Sequence, residues 1–146
     1  VRKGARRILI LNRTLEKARK IAEEVNGLAG KQLASARELG AYASLPGDSY
    51  LAIQATNVGM FPKTEETLIE DEAFYRKVHT GYDLIFNPAR TRFIALVQKS
   101  GGRAFNGLKM LLYQGIIAYE LWTGAEVGPA LAEKAYAEMK KAMNTL

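Results

Sequence analysis

Arg13 closes the run Ile8-Leu9-Ile10-Leu11-Asn12, and Thr14 and Lys17 follow it within about one helical turn. A guanidinium stays charged, forks onto phosphate oxygens and can lie flat on an adenine ring. A hydroxyl, an ammonium and the free amides of a helix start beside it all favour the same kind of ligand, an anion. At one strand end of a dinucleotide-binding fold an acidic side chain usually holds the adenosine ribose 2′-hydroxyl, whereas an arginine there accommodates a 2′-phosphate. The spacing therefore predicts NADP rather than NAD. Taken alone, the same residues also fit a solvated arginine that follows a surface strand.

The elements that must position these residues change period along the chain. Arg7 to Leu11 reads as a short buried strand. Leu15, Ala18, Ile21, Ala22 and Val25 form one helical face, which Asn26-Gly27 is expected to end. Gly30 to Ala34 reads as a weak strand and Tyr50 to Gln54 as a stronger one. The loop "NVGMFPKTEET" follows, broken by Gly and Pro. "GYDLIFNP" predicts another strand, with Leu84 and Phe86 on one side of it by period two, and Asn87-Pro88 closes it. Thr91 can cap a helix from Arg92 to Lys99, stopped by Gly101-Gly102, before a last strand in "GRAFNG". Helices from Leu108 to Thr123 and from Pro129 to Asn144 finish the chain. This alternation predicts an α/β fold, a Rossmann-like doubly wound, mainly parallel sheet with flanking helices, whose ligand sits at strand ends.

Bulk properties limit the alternatives. The chain has 146 residues, 48% hydrophobic and 25% charged, enough for its own core. Arg2, Lys3, Arg6, Arg7, Arg13, Lys17, Arg19 and Lys20 face only Glu16 in the first twenty residues of a chain of net charge +6. That bias favours an anionic partner, but the segment has no aromatic residue to stack on a base, which argues against nucleic acid. No run approaches the roughly 20 apolar residues of a membrane span. Val1-Arg2-Lys3-Gly4 leads no apolar signal segment, and there is no cysteine, so a cytoplasmic protein without thiolate metal sites is expected. No G-x-G-x-x-G occurs, and seven residues before Ile8 cannot hold the strand, glycine-rich turn and helix that precede such an arginine. The fold is accordingly expected to be truncated at its N-terminal side. Unpaired strand edges would follow, and a homodimer is one way to cover them.

"LNRTLEKA", "IQATNVGM", "YDLIFNPARTRF" and above all "FNGLKMLLYQGIIAYELWTG" resemble, in order, the C-terminal cofactor-binding half of the shikimate dehydrogenase family. The resemblance implies NADPH-dependent, reversible reduction of 3-dehydroshikimate to shikimate, on the route to aromatic amino acids. It implies that Asn12, Arg13, Thr14 and Lys17 contact the 2′-phosphate, and that Ala55, Thr56, Asn57, Val58, Gly59 and Met60 lie along the cofactor, with Leu84 a neighbour. Gly107, Met110, Leu111 and Gln114 recur at i, i+3, i+4 and i+7, one helical face. The resemblance gives Gly107 to the nicotinamide carboxamide, Met110 and Leu111 to the ring, and Gln114, expected as a buried amide, to a substrate hydroxyl. Phe86 stands where the family usually has a tyrosine that reaches the substrate carboxylate, so it keeps the ring and loses the donor.

The family's catalytic lysine and aspartate belong to a substrate domain, and no residue of this chain is expected to be catalytic; alone it is expected to be inactive. Residues 1–106 are expected to form a partial NADP-binding domain and 107–146 the helices that complete the cofactor and substrate cleft. A nonenzymatic NADP-binding module and a quinate/shikimate dehydrogenase relative are the alternatives. Other conspicuous residues point to packing or solvent: His79 just before a strand, the acidic Glu65-Glu66 and Glu70-Asp71-Glu72 rather than a metal site, and Trp122, Tyr113 and Tyr119 on a helix. Asp83, inside an apolar strand, is expected to be hydrogen-bonded there.

Overall fold

The computed structural model describes residues 4–143. Val1, Arg2 and Lys3 of the basic segment, and Asn144, expected to end the last helix, lie outside the described residues. The chain divides into two compact units, residues 1–47 and 48–146.

In the first unit β1 (Ile8–Asn12) leads into α1 (Leu15–Ala29), and β2 (Ala34–Glu38) pairs with β1 in parallel from Ile8↔Ala34 to Asn12↔Glu38. The inward face of α1 carries Ala18 and Ala22, both buried, and such small side chains let a helix lie close to its strands. Leu33, Ala34 and Leu45 complete this small core, and a 3-10 turn spans Leu39–Ser44. Two expectations fail here. The helix runs past Asn26-Gly27 and ends at Gly30, whose φ of 63° is the left-handed conformation that favours glycine. Asn26 does not end the helix because its side chain serves the next strand: Oδ1 accepts from the amides of Leu33 (2.8 Å) and Ala34 (2.7 Å), and Nδ2 donates to the Ala34 carbonyl (3.0 Å). That bridge holds the turn through residues 30–33, so the strand expected over Gly30 to Ala34 begins only at Ala34.

The second unit holds a three-stranded parallel sheet in the order β3 (Tyr50–Gln54), β4 (Val78–Asp83), β5 (Arg103–Phe105). A short helix, α2 (Glu72–Tyr75), precedes β4, with Asp71 accepting from the Ala73 amide as its cap. The next helix, α3 (Arg92–Lys99), buries Phe93, Ile94, Leu96 and Val97, each worth roughly 2 kcal/mol of transfer free energy. Its seat on the sheet is close: a Cβ on Gly81 of β4 would lie 2.9 Å from Val97 Cγ2. Tyr75, 1% exposed, packs edge-on against Phe74 and Phe93 and donates its hydroxyl to the Ile69 carbonyl at 2.6 Å. The other face of the sheet is open, with Leu51, Ile53 and Phe105 at least half exposed.

α4 (Leu108–Thr123) and α5 (Pro129–Met143) bury Leu108, Leu112 and Ala132 and flank an apolar groove. Among the described residues no helix is long and apolar enough to cross a membrane. All ladders are parallel and flanked by helices, the α/β organisation that the alternating periods predict. His79 lies inside β4 rather than before it, exposed, with Nδ1 2.9 Å from the Thr80 hydroxyl.

Candidate functional site

Predicted site residues fall in both units. In the first, β1 ends at Asn12, whose Oδ1 accepts from the Thr14 amide at 2.9 Å and so turns the chain into α1. Thr14 occupies the cap position in extended conformation, yet its hydroxyl makes no capping hydrogen bond. The amides of Lys17 and Ala18 reach the Thr14 carbonyl, whereas those of Leu15 and Glu16 have no acceptor among the described residues. Helix starts in this condition attract anions, through free N–H groups and the positive end of the helix dipole. Arg13 and Lys17 are exposed, and neither has a carboxylate partner among the described residues; Arg19, by contrast, pairs with Glu16.

In the second unit, Ala55, Thr56, Asn57 and Met60 from the loop after β3 face Leu84, Ile85, Phe86 and Asn87 from the loop after β4 across a cleft of about 480 Å³, with Phe61 at its rim. Six predicted residues thus line one cavity at the C-terminal ends of two parallel strands, where α/β sheets bind ligands. Val58 is half-buried, and Gly59 is buried with φ of 92° and room for no side chain, since a Cβ would meet the Glu66 carbonyl oxygen at 2.9 Å. Leu84 and Phe86 do not owe their side to strand alternation, because β4 stops at Asp83. The chain turns there when Asp83 Oδ1 accepts from the Ile85 amide at 3.0 Å, and both residues line the cleft from the loop.

Gly107 caps α4, and its amide donates to the Ile85 carbonyl at 3.0 Å. A Cβ there would fall 2.1 Å from the Leu84 carbonyl oxygen, so only glycine lets α4 begin against this wall. The Gly107 carbonyl accepts from the Leu111 amide and retains a second lone pair. Met110 is 45% exposed, while Leu111 is half-buried and lines the groove beside α5. Gln114 is exposed and not the buried amide expected, because the buried side of α4 is carried by Leu108 and Leu112. Neither Met110 nor Gln114 lines the cleft of the 55–60 loop.

Behind the cleft lies a polar group whose role the sequence reading understated. Gln54 and Asp83 are register partners at the last positions of β3 and β4 and are 6% and 0% exposed. Gln54 Oε1 accepts from the Thr56 amide (2.6 Å) and hydroxyl (2.7 Å), and Nε2 donates to the Val58 carbonyl at 3.0 Å. Asp83 Oδ2 accepts from the Thr91 hydroxyl at 2.6 Å, and Thr91 Oγ1 caps α3 by accepting from the Ile94 amide. Burial raises the Asp83 carboxyl above its ordinary value, although the bonds from Thr91 and Ile85 oppose the shift. A polar residue ending each of two neighbouring parallel strands was the available signal. Glu70 and Glu72 pair with Arg92 and Lys99, consistent with solvated acidic residues; no cluster of three or more metal-ligating side chains occurs among the described residues.

Known proteins resemble this chain in sequence and fold. The family described as shikimate 5′-dehydrogenase C-terminal domain matches residues 107–135. A shikimate dehydrogenase (NADP(+)) of Carboxydothermus hydrogenoformans is 33% identical over 128 residues, 88% of this chain and 45% of that protein. A chorismate mutase/shikimate 5-dehydrogenase fusion protein from Clostridium acetobutylicum superposes with a TM-score of 0.77 at 25% identity, over 94% of this chain and 46% of the other. A shikimate dehydrogenase solved in complex with NADP+ gives a TM-score of 0.73 at 30% identity, over 91% and 46%. The chain spans about half the length of the curated relatives it matches.

Proposed function

We propose that this chain, a relative of the C-terminal half of shikimate dehydrogenase, is the NADP-binding portion of an oxidoreductase that reversibly reduces 3-dehydroshikimate to shikimate. The observation that carries the reading is the start of α1: an uncapped helix with two amides and a threonine hydroxyl unspent, beside Arg13 and Lys17, which lack carboxylate partners. This donor set fits a phosphate dianion, and an adenosine 2′-phosphate distinguishes NADP from NAD.

Bound NADPH supplies the hydride. The residues of this chain bind and orient. Arg13, Thr14 and Lys17 hold the 2′-phosphate; Ala55 to Met60, with Leu84, form the wall along which the cofactor lies. Gly107, Met110 and Leu111 serve the nicotinamide end, and Gln114 with Phe86 the acid. The Phe86 ring offers no hydroxyl, so the carboxylate of the acid gains only apolar contact from it. No lysine–aspartate pair of this chain is assigned to proton transfer.

Titration of NADPH and NADH against the chain, followed by nicotinamide fluorescence, tests the reading. NADPH should bind more tightly, and Arg13→Ala should erase about 10- to 100-fold of its affinity, the worth of one or two charged hydrogen bonds, while leaving NADH unchanged. Equal affinity for both dinucleotides before substitution would refute it.

A further inference from the structure

We propose that Asp83 is a positioning residue, a buried clamp that fixes both walls of the cleft, the loop of residues 55–60 and the loop of residues 84–87, in one mutual arrangement. As a carboxylate it can only accept hydrogen bonds, and three donors converge on it: the Ile85 amide, the Thr91 hydroxyl and, at the 3.5 Å limit, Gln54 Nε2. Its first action is direct, since holding the Ile85 amide turns the chain out of β4 and sets Leu84, Ile85 and Phe86 along the cleft.

The second action passes through Gln54. An acceptor at Asp83 requires the NH₂ side of that amide to face it, and the same NH₂ then donates to the Val58 carbonyl. The amide oxygen is left pointing at Thr56, where it accepts from both amide and hydroxyl, and the Thr56 hydroxyl oxygen in turn accepts from the Val58 amide at 3.2 Å. The Thr56 amide can only donate and the Val58 carbonyl can only accept, so they demand the same orientation of Gln54 as the carboxylate does, and the carboxylate ties that side-chain amide to the wall after β4. An asparagine cannot replace it, because whichever way its amide is turned one of its neighbours, the Ile85 amide or the Thr91 hydroxyl, loses its acceptor. Thr91 ties the same carboxylate to the first turn of α3, so the clamp is anchored in the packed core around Val97.

The clamp is defined without any ligand; only its consequence for NADPH rests on the function proposed above. Amide hydrogen exchange on the full chain, without nucleotide, is the test. Asp83→Asn should accelerate exchange at Ile85 by about tenfold or more relative to amides in the middle of α4, as expected when a hydrogen bond to a charged group is lost or made neutral, and at Thr56 and Val58, which feel the change only through Gln54, by less. Val97→Ala, a core truncation that leaves all these bonds in place, should not single out those amides.

Thr91→Val and Thr91→Ser guard against a misfolded Asp83 variant. The valine should loosen the two loops and the serine, which keeps the hydroxyl, should restore them. Uniform acceleration across the unit in Asp83→Asn, or valine and serine variants that behave alike, would overturn the clamp. If the loop amides respond as expected and NADPH binds to neither parent nor variant, the clamp stands and the NADP reading falls.

Discussion

Replacing Gly107 with alanine places a methyl carbon 2.1 Å from the Leu84 carbonyl oxygen and 2.7 Å from the carbonyl carbon. Carbon–carbon contacts settle near 3.5–4.0 Å, so the obstacle must retreat by roughly 1 Å, and it is backbone rather than the flexible end of a side chain. The φ at Gly107 is −76°, open to any residue, so the penalty is overlap and not backbone strain. Overpacking of this kind costs about 1–3 kcal/mol, and a rigid backbone obstacle argues for the upper end. At 2–4 °C per kcal/mol for a chain of this size, the melting temperature should fall by about 10 °C. Gly115, in the middle of the same helix, supplies the control, since a Cβ there meets nothing within 4 Å. Gly115→Ala should therefore stabilise by about 0.5–1 kcal/mol through helix propensity and raise the melting temperature. Thermal unfolding followed by circular dichroism reads both. A Gly107→Ala protein that melts within about 1 °C of the parent would refute the close-approach argument, since even 1 kcal/mol shifts the transition further than that. So would two variants that shift in the same direction.

Three further outcomes can be checked. The Asp83 carboxyl, raised by burial above its ordinary 3.8, holds its proton in the folded state after the unfolded chain has released it. Its contribution to stability is thus complete below that value and lost as pH rises through the raised folded one; denaturant titrations across this range should show the slope in the parent and not in Asp83→Asn. Asn26→Ala strips the acceptor from the Leu33 and Ala34 amides and should destabilise the first unit by about 2–3 kcal/mol, whereas Asn26→Asp, which keeps that acceptor, should lose less. Glu70→Gln breaks the exposed pair with Arg92 and should cost at most about 1 kcal/mol, shrinking as salt is added; a larger, salt-insensitive loss would contradict a solvated pair.

Much of this protein is legible from its residues in order. β1, β3, α3, α4 and α5 follow from apolar period, and Thr91 caps α3 as its hydroxyl and position suggest, because each of these depends on neighbours within a turn or a strand. The basic strand-to-helix junction at Asn12, Arg13, Thr14 and Lys17 is local in the same way, and so is the run from Ala55 to Met60. What the sequence could not disclose depends on partners far along the chain. Asn26 and Gly27 form a plausible helix stop, yet Asn26 spends its side chain on amides seven and eight residues away and the helix continues. The stripe through Gln114 is real as a helical face, but which face α4 buries is decided by what lies against it, and Gln114 stays in water. Leu84 and Phe86 share the cleft because a carboxylate ends the strand, not because the strand alternates. Gly107 has unremarkable torsions, and nothing near it in sequence says that Leu84, twenty-three positions earlier, leaves no room for a methyl group. Periodicity records the forces between near neighbours; close approach and burial arise only when distant segments meet, and in this chain those meetings shape the cleft.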